Sequence, residues 1–290
     1  MVTLPKASPL TVRALLREGQ LRLARAGVDT PRLDAEVLLM ELLGIDRAGL
    51  YLAYPDTAPE AIAGRFRTWI ERRAAGEPVA YLIGHREFMG LDFRVDPRAL
   101  IPRPETEFLV EWALERLRRS GTGRKLVVDA GTGSAAVAVS LARLLPDDVH
   151  PLIVGSDRDR AALDVAAMNR DRLGPSRVQL VHGDLLEWCG GGIDLLLANL
   201  PYLREDQAHA GLAHEPGAAL YAGVDGLDLY RRLLPQARER LLPGGALICE
   251  IDPPQAARMR ELARRHFPTA STQVARDLAG LDRYLIIDLA

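Results

Sequence analysis

Two short stretches of the chain carry residues whose types and spacing suit group-transfer chemistry. Asn199-Leu200-Pro201-Tyr202 follows directly on the apolar run Ile193–Ala198. An NH2 group conjugated to a carbonyl or an aromatic ring is a poor nucleophile, because its lone pair is delocalised. A site that methylates such a nitrogen should hold both N–H groups with acceptors and so aim the lone pair at the donor carbon. The Asn199 side-chain oxygen can be one acceptor and the Leu200 backbone carbonyl the other. Pro201 biases Leu200 towards an extended conformation, which helps aim that carbonyl. Tyr202 can pack its ring on the planar amide. Taken alone, the tetrad reads as readily as a turn with a buried tyrosine.

The second stretch is Asp129-Ala130-Gly131-Thr132-Gly133-Ser134. Glycines let a backbone turn sharply and approach a ligand closely, and a following helix offers free amides. Asp157 lies 24 residues beyond Gly133. That spacing suits a carboxylate bonding the two ribose hydroxyls of an adenosine-containing cofactor. Gly131, Gly133 and Ala136 also satisfy a loose dinucleotide fingerprint, so an NAD enzyme remains open on the glycines alone. The tetrad at Asn199 argues against it. Asp184, with Leu185 beside it, can bond an adenine amino group or serve as a plain helix cap.

These residues need a scaffold, and the chain supplies alternating signals for one. Apolar strands are expected at 125–129, 152–157, 178–182, 193–198 and 246–251. Helices are expected at 134–145, 160–173, 227–242 and 254–266. A closing antiparallel pair is expected at 273–276 and 284–289. Such alternation predicts a mostly parallel sheet covered by helices on both faces. Upstream, Ser8-Pro9, Thr30-Pro31 and Pro59 start three helices that stop at Gly27, Gly44 and near Gly76. Ile62, Phe66, Trp69 and Ile70 share one face of the third. The stretch 79–95, with Tyr81, Phe88 and Phe93 broken by Gly84 and Gly90, predicts a β-hairpin linker. After Gly121-Thr122-Gly123 the strand–helix series begins, preceded by a helix at 105–119 whose start carries Glu105 and Thr106.

The chain has 290 residues, 48% hydrophobic and 26% charged, with a net charge of −2. That composition supports a globular core and calls for no polyanionic partner. Cys189 and Cys249 lack CxxC spacing and fit a reducing compartment. His85, His150, His182, His209, His214 and His266 are scattered without metal-ligand spacing. No secretory leader and no membrane-length apolar run is visible, so a cytoplasmic protein without metal is expected.

Several separated blocks resemble one family, the HemK/PrmC protein-glutamine N5-methyltransferases. They are Glu71-Arg72-Arg73, the run from Gly76 to Gly84, and the run from Glu87 to Phe93. Leu100-Ile101-Pro102-Arg103-Pro104-Glu105-Thr106-Glu107 is the most specific. His214-Glu215-Pro216, Gly226-Leu227-Asp228-Leu229-Tyr230 and the run from Arg276 to Arg283 follow in order. The resemblance implies an α/β, class I S-adenosylmethionine-dependent methyltransferase fold. It is Rossmann-like, with a mostly parallel seven-stranded sheet and an antiparallel end, plus a small N-terminal helical bundle. The expected domains are 1–76 (helical), 77–104 (hairpin linker) and 105–290 (catalytic).

The resemblance further implies transfer of a methyl group from S-adenosyl-L-methionine to the glutamine of the Gly-Gly-Gln motif in class I peptide chain release factors. S-adenosyl-L-homocysteine leaves. Gly131, Thr132, Gly133, Ser134, Ala135, Asp157, Asp184 and Leu185 would line the cofactor. Asn199, Leu200, Pro201 and Tyr202 would grip the glutamine, with Asn199 also near the cofactor. No nucleic acid, no membrane and no second copy of the chain is implied.

Two departures stand out. Ala135 replaces a usual glycine, where its methyl group could crowd the cofactor, although alanine suits a position just inside a helix. Leu200 replaces the first proline of the usual Asn-Pro-Pro-Tyr loop, a change the assigned carbonyl role tolerates. Asn-Leu-Pro-Tyr is also the form found in adenine N6-methyltransferases, so the tetrad alone does not separate amide from adenine. A ribosomal-protein glutamine enzyme and a non-catalytic cofactor-binding module also stay open.

Overall fold

The structure is a computed structural model that describes residues 10–119, 123–174, 177–208 and 210–290. Ser8-Pro9, Gly121-Thr122 and His209 lie outside the described residues. Two compact units emerge, one from the chain up to Gly84 with Ala210–His214, the other from His85 onward around that segment.

The first unit is helical. Thr11 opens α1 (Val12–Arg25) by accepting the Ala14 amide at 3.2 Å. Pro31 starts α2 (Pro31–Leu43), which ends on Gly44 in the left-handed region. Asp46 caps the short α3 (Arg47–Leu52), and α4 (Glu60–Ala74) follows Pro59. Leu15, Leu38, Leu39, Leu50, Phe66 and Ile70 form its core. Gly19 lets α1 approach α4 closely, since a Cβ there would sit 2.6 Å from the Phe66 ring. Residues 79–83, expected within the hairpin, instead form a short helix, α5 (Val79–Ile83). Pro78 and the left-handed Gly84 bracket it as helix start and stop.

The second unit opens with a hairpin, β1 (His85–Phe88) and β2 (Leu91–Arg94), in antiparallel register. Met89 and Gly90 both take positive φ, as a two-residue hairpin turn requires. A 3-10 turn at Pro104–Thr106 leads into α6 (Glu107–Arg119). The main series is β3 (Leu126–Ala130), α7 (Ala136–Leu144), β4 (Leu152–Asp157), α8 (Arg160–Leu173), β5 (Val178–His182) and β6 (Ile193–Ala198). It continues with α9 (Asp228–Arg240), β7 (Leu241–Glu250), α10 (Ala256–His266), β8 (Ser271–Arg276) and β9 (Asp282–Asp288).

The strands form one seven-stranded sheet in the order β5-β4-β3-β6-β7-β9-β8. All neighbours are parallel except β9, which runs antiparallel between β7 and β8. Strand alternation divides the core into two layers. Val127, Leu195, Leu197, Ala246 and Ile248 face α6, α7 and α8. Val128, Leu196, Ala198, Leu247 and Cys249 face α9 and α10. The strand order reverses between β3 and β6, which opens a crevice at their C-terminal ends, where ligands bind in open α/β sheets. Among the described residues no helix is long and apolar enough to cross a membrane.

Candidate functional site

An open cleft occupies this switch point. Its walls come from four successive strand ends: Gly131 and Gly133 after β3, Asp157 at the end of β4, Gly183 to Leu185 after β5, and Asn199 to Pro201 after β6. Residues far upstream and downstream complete it, with Arg98 to Leu100 on one side and Pro216, Ala218 and Ala219 on another.

The turn after β3 is built from backbone. The amides of Gly131 and Thr132 both donate to the Ser156 carbonyl, at 2.8 and 2.9 Å. Gly131 and Gly133 have φ of 73° and 54°, open to glycine at little cost. A Cβ on Gly131 would stand 2.7 Å from the Leu200 side chain, so the two halves of the cleft touch at this glycine. Asp129 lies buried beneath the turn and accepts from the Thr132 hydroxyl at 2.6 Å and the Ala138 amide at 3.2 Å. Burial pushes its carboxyl up to about 6, against the opposing pull of those two donors. Asn169 of α8 holds the Ser134 carbonyl at 2.9 Å and both backbone groups of Arg94 in β2.

Thr132, Ser134 and Ala135 therefore stand behind the cavity wall rather than in it. Ala135 corrects the expectation of a position just inside the helix. It precedes α7 with φ 61°, in the left-handed region, and is fully buried among the apolar residues of α6, α7 and α8. Its methyl group belongs to the core, not to the cleft.

Asp157 lines the cleft while accepting the Gly133 amide at 3.0 Å and the Asp159 amide at 2.9 Å. Burial raises its carboxyl above the ordinary range, and the two amides oppose the shift. A carboxylate at the end of the second parallel strand suits the paired hydroxyls of a ribose. Asp184 caps no helix; it pairs with Arg232 of α9 at 2.6 Å. Leu185 follows with φ 50°, its carbonyl accepting the Trp188 indole N–H at 2.9 Å.

The tetrad half rests on buried side chains. Asn199 Nδ2 donates to Thr106 Oγ1 at 2.8 Å, and the Thr106 hydroxyl donates to Glu250 Oε2 at 2.8 Å. The Tyr202 hydroxyl donates to the other oxygen of Glu250 at 3.0 Å. Tyr230 of α9 donates to the Glu250 carbonyl, while the Leu200 backbone amide bonds the same Tyr230 hydroxyl. Gln255 fixes the Tyr202 carbonyl at 2.8 Å. The Leu200 side chain is buried against the β6–α9 layer, filling space over Gly131. Tyr202 is not part of the cleft wall, and its hydroxyl is held well above its ordinary pKa by burial and by the neighbouring Glu250.

Three features escaped the sequence reading. Thr106, read as a helix-start residue, spends its hydroxyl on Glu250, 144 positions away. Glu250 at the end of β7 carried no local motif. Glu215, nearly buried, clasps Arg103 at 2.5 Å and the Ile101 amide at 3.3 Å, tying together two segments that flank the cleft. Thr106, Arg103 and Glu215 all lie in the sequence blocks singled out above, which was the one available signal.

The sheet order, the antiparallel β9 and the cleft at the switch point define a Rossmann-like methyltransferase. A T. thermophilus 16S rRNA N2 G1207 methyltransferase, solved in complex with AdoMet and guanosine, shares this fold at a TM-score of 0.52 and 20% identity, over 71% of this chain and 50% of that one. Residues 14–84 match the family of the PrmC N-terminal domain. A release factor glutamine methyltransferase of Moorella thermoacetica is 44% identical, covering 94% of this chain and 97% of its own length. That of Deinococcus radiodurans is 40% identical over 95% and 98%. The chain belongs to the release factor glutamine methyltransferase family.

Proposed function

We propose that this protein transfers a methyl group from S-adenosyl-L-methionine to the side-chain nitrogen of the glutamine in the Gly-Gly-Gln motif of class I peptide chain release factors. One observation carries the reading. Asn199, Leu200 and Pro201 of the tetrad and the glycine turn with Asp157 line a single cleft, on the two sides of the strand-order reversal.

The lining of the cleft suits the cofactor in chemistry. Gly131 and Gly133 would admit it closely, Asp157 would accept from its ribose, and Asp184 with Leu185 would flank its base. When bound, it supplies a methyl group on a positively charged sulfur, already poised to leave. The remaining work is positional. Asn199 Oδ1 and the Leu200 carbonyl accept the two N–H bonds of the glutamine amide. This grip turns the nitrogen lone pair towards the donor and keeps water from competing. Alignment of this kind contributes on the order of 7–11 kcal/mol. Asn199 is no strong base, so the proton passes to solvent after transfer, as S-adenosyl-L-homocysteine leaves.

In this reading residues 1–76 form a helical domain, 77–104 a linker and 105–290 the catalytic domain of a cytoplasmic monomer that uses neither nucleic acid nor membrane. An adenine substrate is not favoured, since the family relatives are named for release factor glutamine. The test is labelled methyl transfer onto purified release factor, beside a variant whose Gly-Gly-Gln glutamine is replaced. Label on the unaltered factor alone is expected; equal label on both would remove the proposed target.

A further inference from the structure

Asn199 can accept from an incoming amide only if its oxygen, and not its nitrogen, faces the cleft. The two ends of a carboxamide have the same shape, so packing alone does not choose between them. The choice is made by hydrogen-bond polarity, and the chain of contacts behind Asn199 sets that polarity.

We infer that Thr106 and Glu250 are positioning residues that lock the Asn199 carboxamide with its oxygen towards the substrate. The inference rests on the proposed amide-transfer reading and extends it. A threonine hydroxyl owns one proton. An ionised carboxylate only accepts, so the contact of 2.8 Å between Thr106 Oγ1 and Glu250 Oε2 takes that proton. Thr106 Oγ1 then has only lone pairs left for its second partner, also at 2.8 Å, and that partner must donate. The Asn199 group facing Thr106 is therefore the NH2, and Oδ1 takes the opposite side of the planar amide. Each link is buried or half-buried, where an unmatched pairing is costly.

Glu250 is well placed to anchor this relay. It is 1% exposed, at the last position of β7, and its second oxygen is occupied by the Tyr202 hydroxyl. The charged and titratable groups around it come from every packed element. They are Glu105 ahead of α6, Tyr202 after β6, Tyr230 of α9, and Arg283 and Tyr284 of β9. Arg283 and the two donated hydroxyls favour the carboxylate, while burial and Glu105 oppose it. Burial is the largest influence and raises the carboxyl above its ordinary range. Once protonated, Glu250 would donate to Thr106, whose own proton could then turn towards Asn199. The constraint on the carboxamide would be lost. Turnover should thus fall on the acid side as Glu250 takes up its proton.

The relay also explains a selectivity of the site. With Oδ1 fixed outward, the cleft offers an acceptor to the incoming group and selects N–H donors over carbonyl or ester oxygens.

The test uses the full chain with Thr106→Val, which keeps the shape and removes the hydroxyl, and Thr106→Ser, which keeps the hydroxyl. Thr106→Val should lower kcat about 30- to 100-fold, the scale of a misaligned reacting group. Its KM for release factor and its affinity for S-adenosylmethionine should stay within about threefold. Thr106→Ser should restore kcat to within about threefold, and the acid limb of kcat should be present in wild type and absent in Thr106→Val. A folded Thr106→Val protein with near-normal kcat, or equal loss in both variants, would overturn the inference. A second readout does not depend on the substrate. Nitrogen-15 spectra should show slowed hydrogen exchange at the Asn199 NH2 in wild type and Thr106→Ser, lost in Thr106→Val. Equal exchange in all three overturns the inference even if methyl transfer occurs. Failure of the wild type to methylate any release factor instead overturns the substrate reading, and the exchange measurement still decides the orientation.

Discussion

The two sides of the cleft are made of different materials. The side formed after β3 and β4 is a backbone site, in which glycine turns, held by their own amides on the Ser156 carbonyl and on Asp157, shape the wall beside one carboxylate. Its cost is conformational, visible in the positive φ of Gly131, Gly133 and Ala135. The side formed after β6 and β7 is a side-chain site, in which Asn199, Thr106, Glu250 and Tyr202 hydrogen-bond in series away from water. Its cost is desolvation, visible in the raised carboxyl of Glu250 and the raised hydroxyl of Tyr202. The contrast matches two tasks. Holding a cofactor tolerates many weak backbone contacts, whereas directing a lone pair needs one polar group in one orientation.

If the division is right, changes on the backbone side should act on cofactor affinity and changes on the side-chain side on turnover. The largest effect expected on the first side is for Asp157→Asn. Loss of a charged acceptor should weaken S-adenosylmethionine binding by about 10- to 100-fold in calorimetry. Turnover at saturating cofactor should stay within about threefold; a matching fall in turnover would blur the two sides.

Asp129, beneath the same turn, sharpens the comparison through pH. Its carboxyl titrates near 6 in the folded protein, above the ordinary carboxylate range, so the folded state binds its proton more tightly. The associated stability is full below the unfolded pKa and is lost as pH rises through about 6. Against Asp129→Asn, wild type should lose on the order of 2–3 kcal/mol of unfolding free energy between pH 4 and pH 7. A constant difference between the two, in denaturant titrations across that range, would show that Asp129 does not titrate there.

The smallest effect is expected at Ala135. Replacement by glycine relieves the left-handed backbone but removes a buried methyl, terms of about 1 kcal/mol each and opposite in sign. Stability should change by less than about 1 kcal/mol. Cofactor affinity should stay within about twofold, and a gain above fivefold would place the methyl in the cleft after all.

The parallel strands, the turn at Gly131 and the tetrad were legible in the sequence, because each depends on local pattern: apolar runs, turn glycines and a residue before proline. Boundaries were less so. Val79–Ile83 holds five apolar or aromatic residues that fit a strand by composition, and only the bracketing Pro78 and left-handed Gly84 mark it as a helix. The left-handed Ala135 was hidden for a related reason, since alanine gives no hint of positive φ. The network behind Asn199 had no local signature beyond the block that holds Thr106. Thr106, Asn199 and Glu250 are joined across 93 and 144 positions, and no periodicity reports such partners.

The central claim is that Asn199 acts on the reacting nitrogen and not on the cofactor. The most direct measurement pairs kcat for methyl transfer to release factor with the calorimetric Kd for S-adenosylmethionine in Asn199→Ala. The account predicts a fall in kcat of about 100- to 1000-fold, with Kd within about threefold of wild type. Unchanged kcat, or a loss explained wholly by weaker cofactor binding, would contradict it.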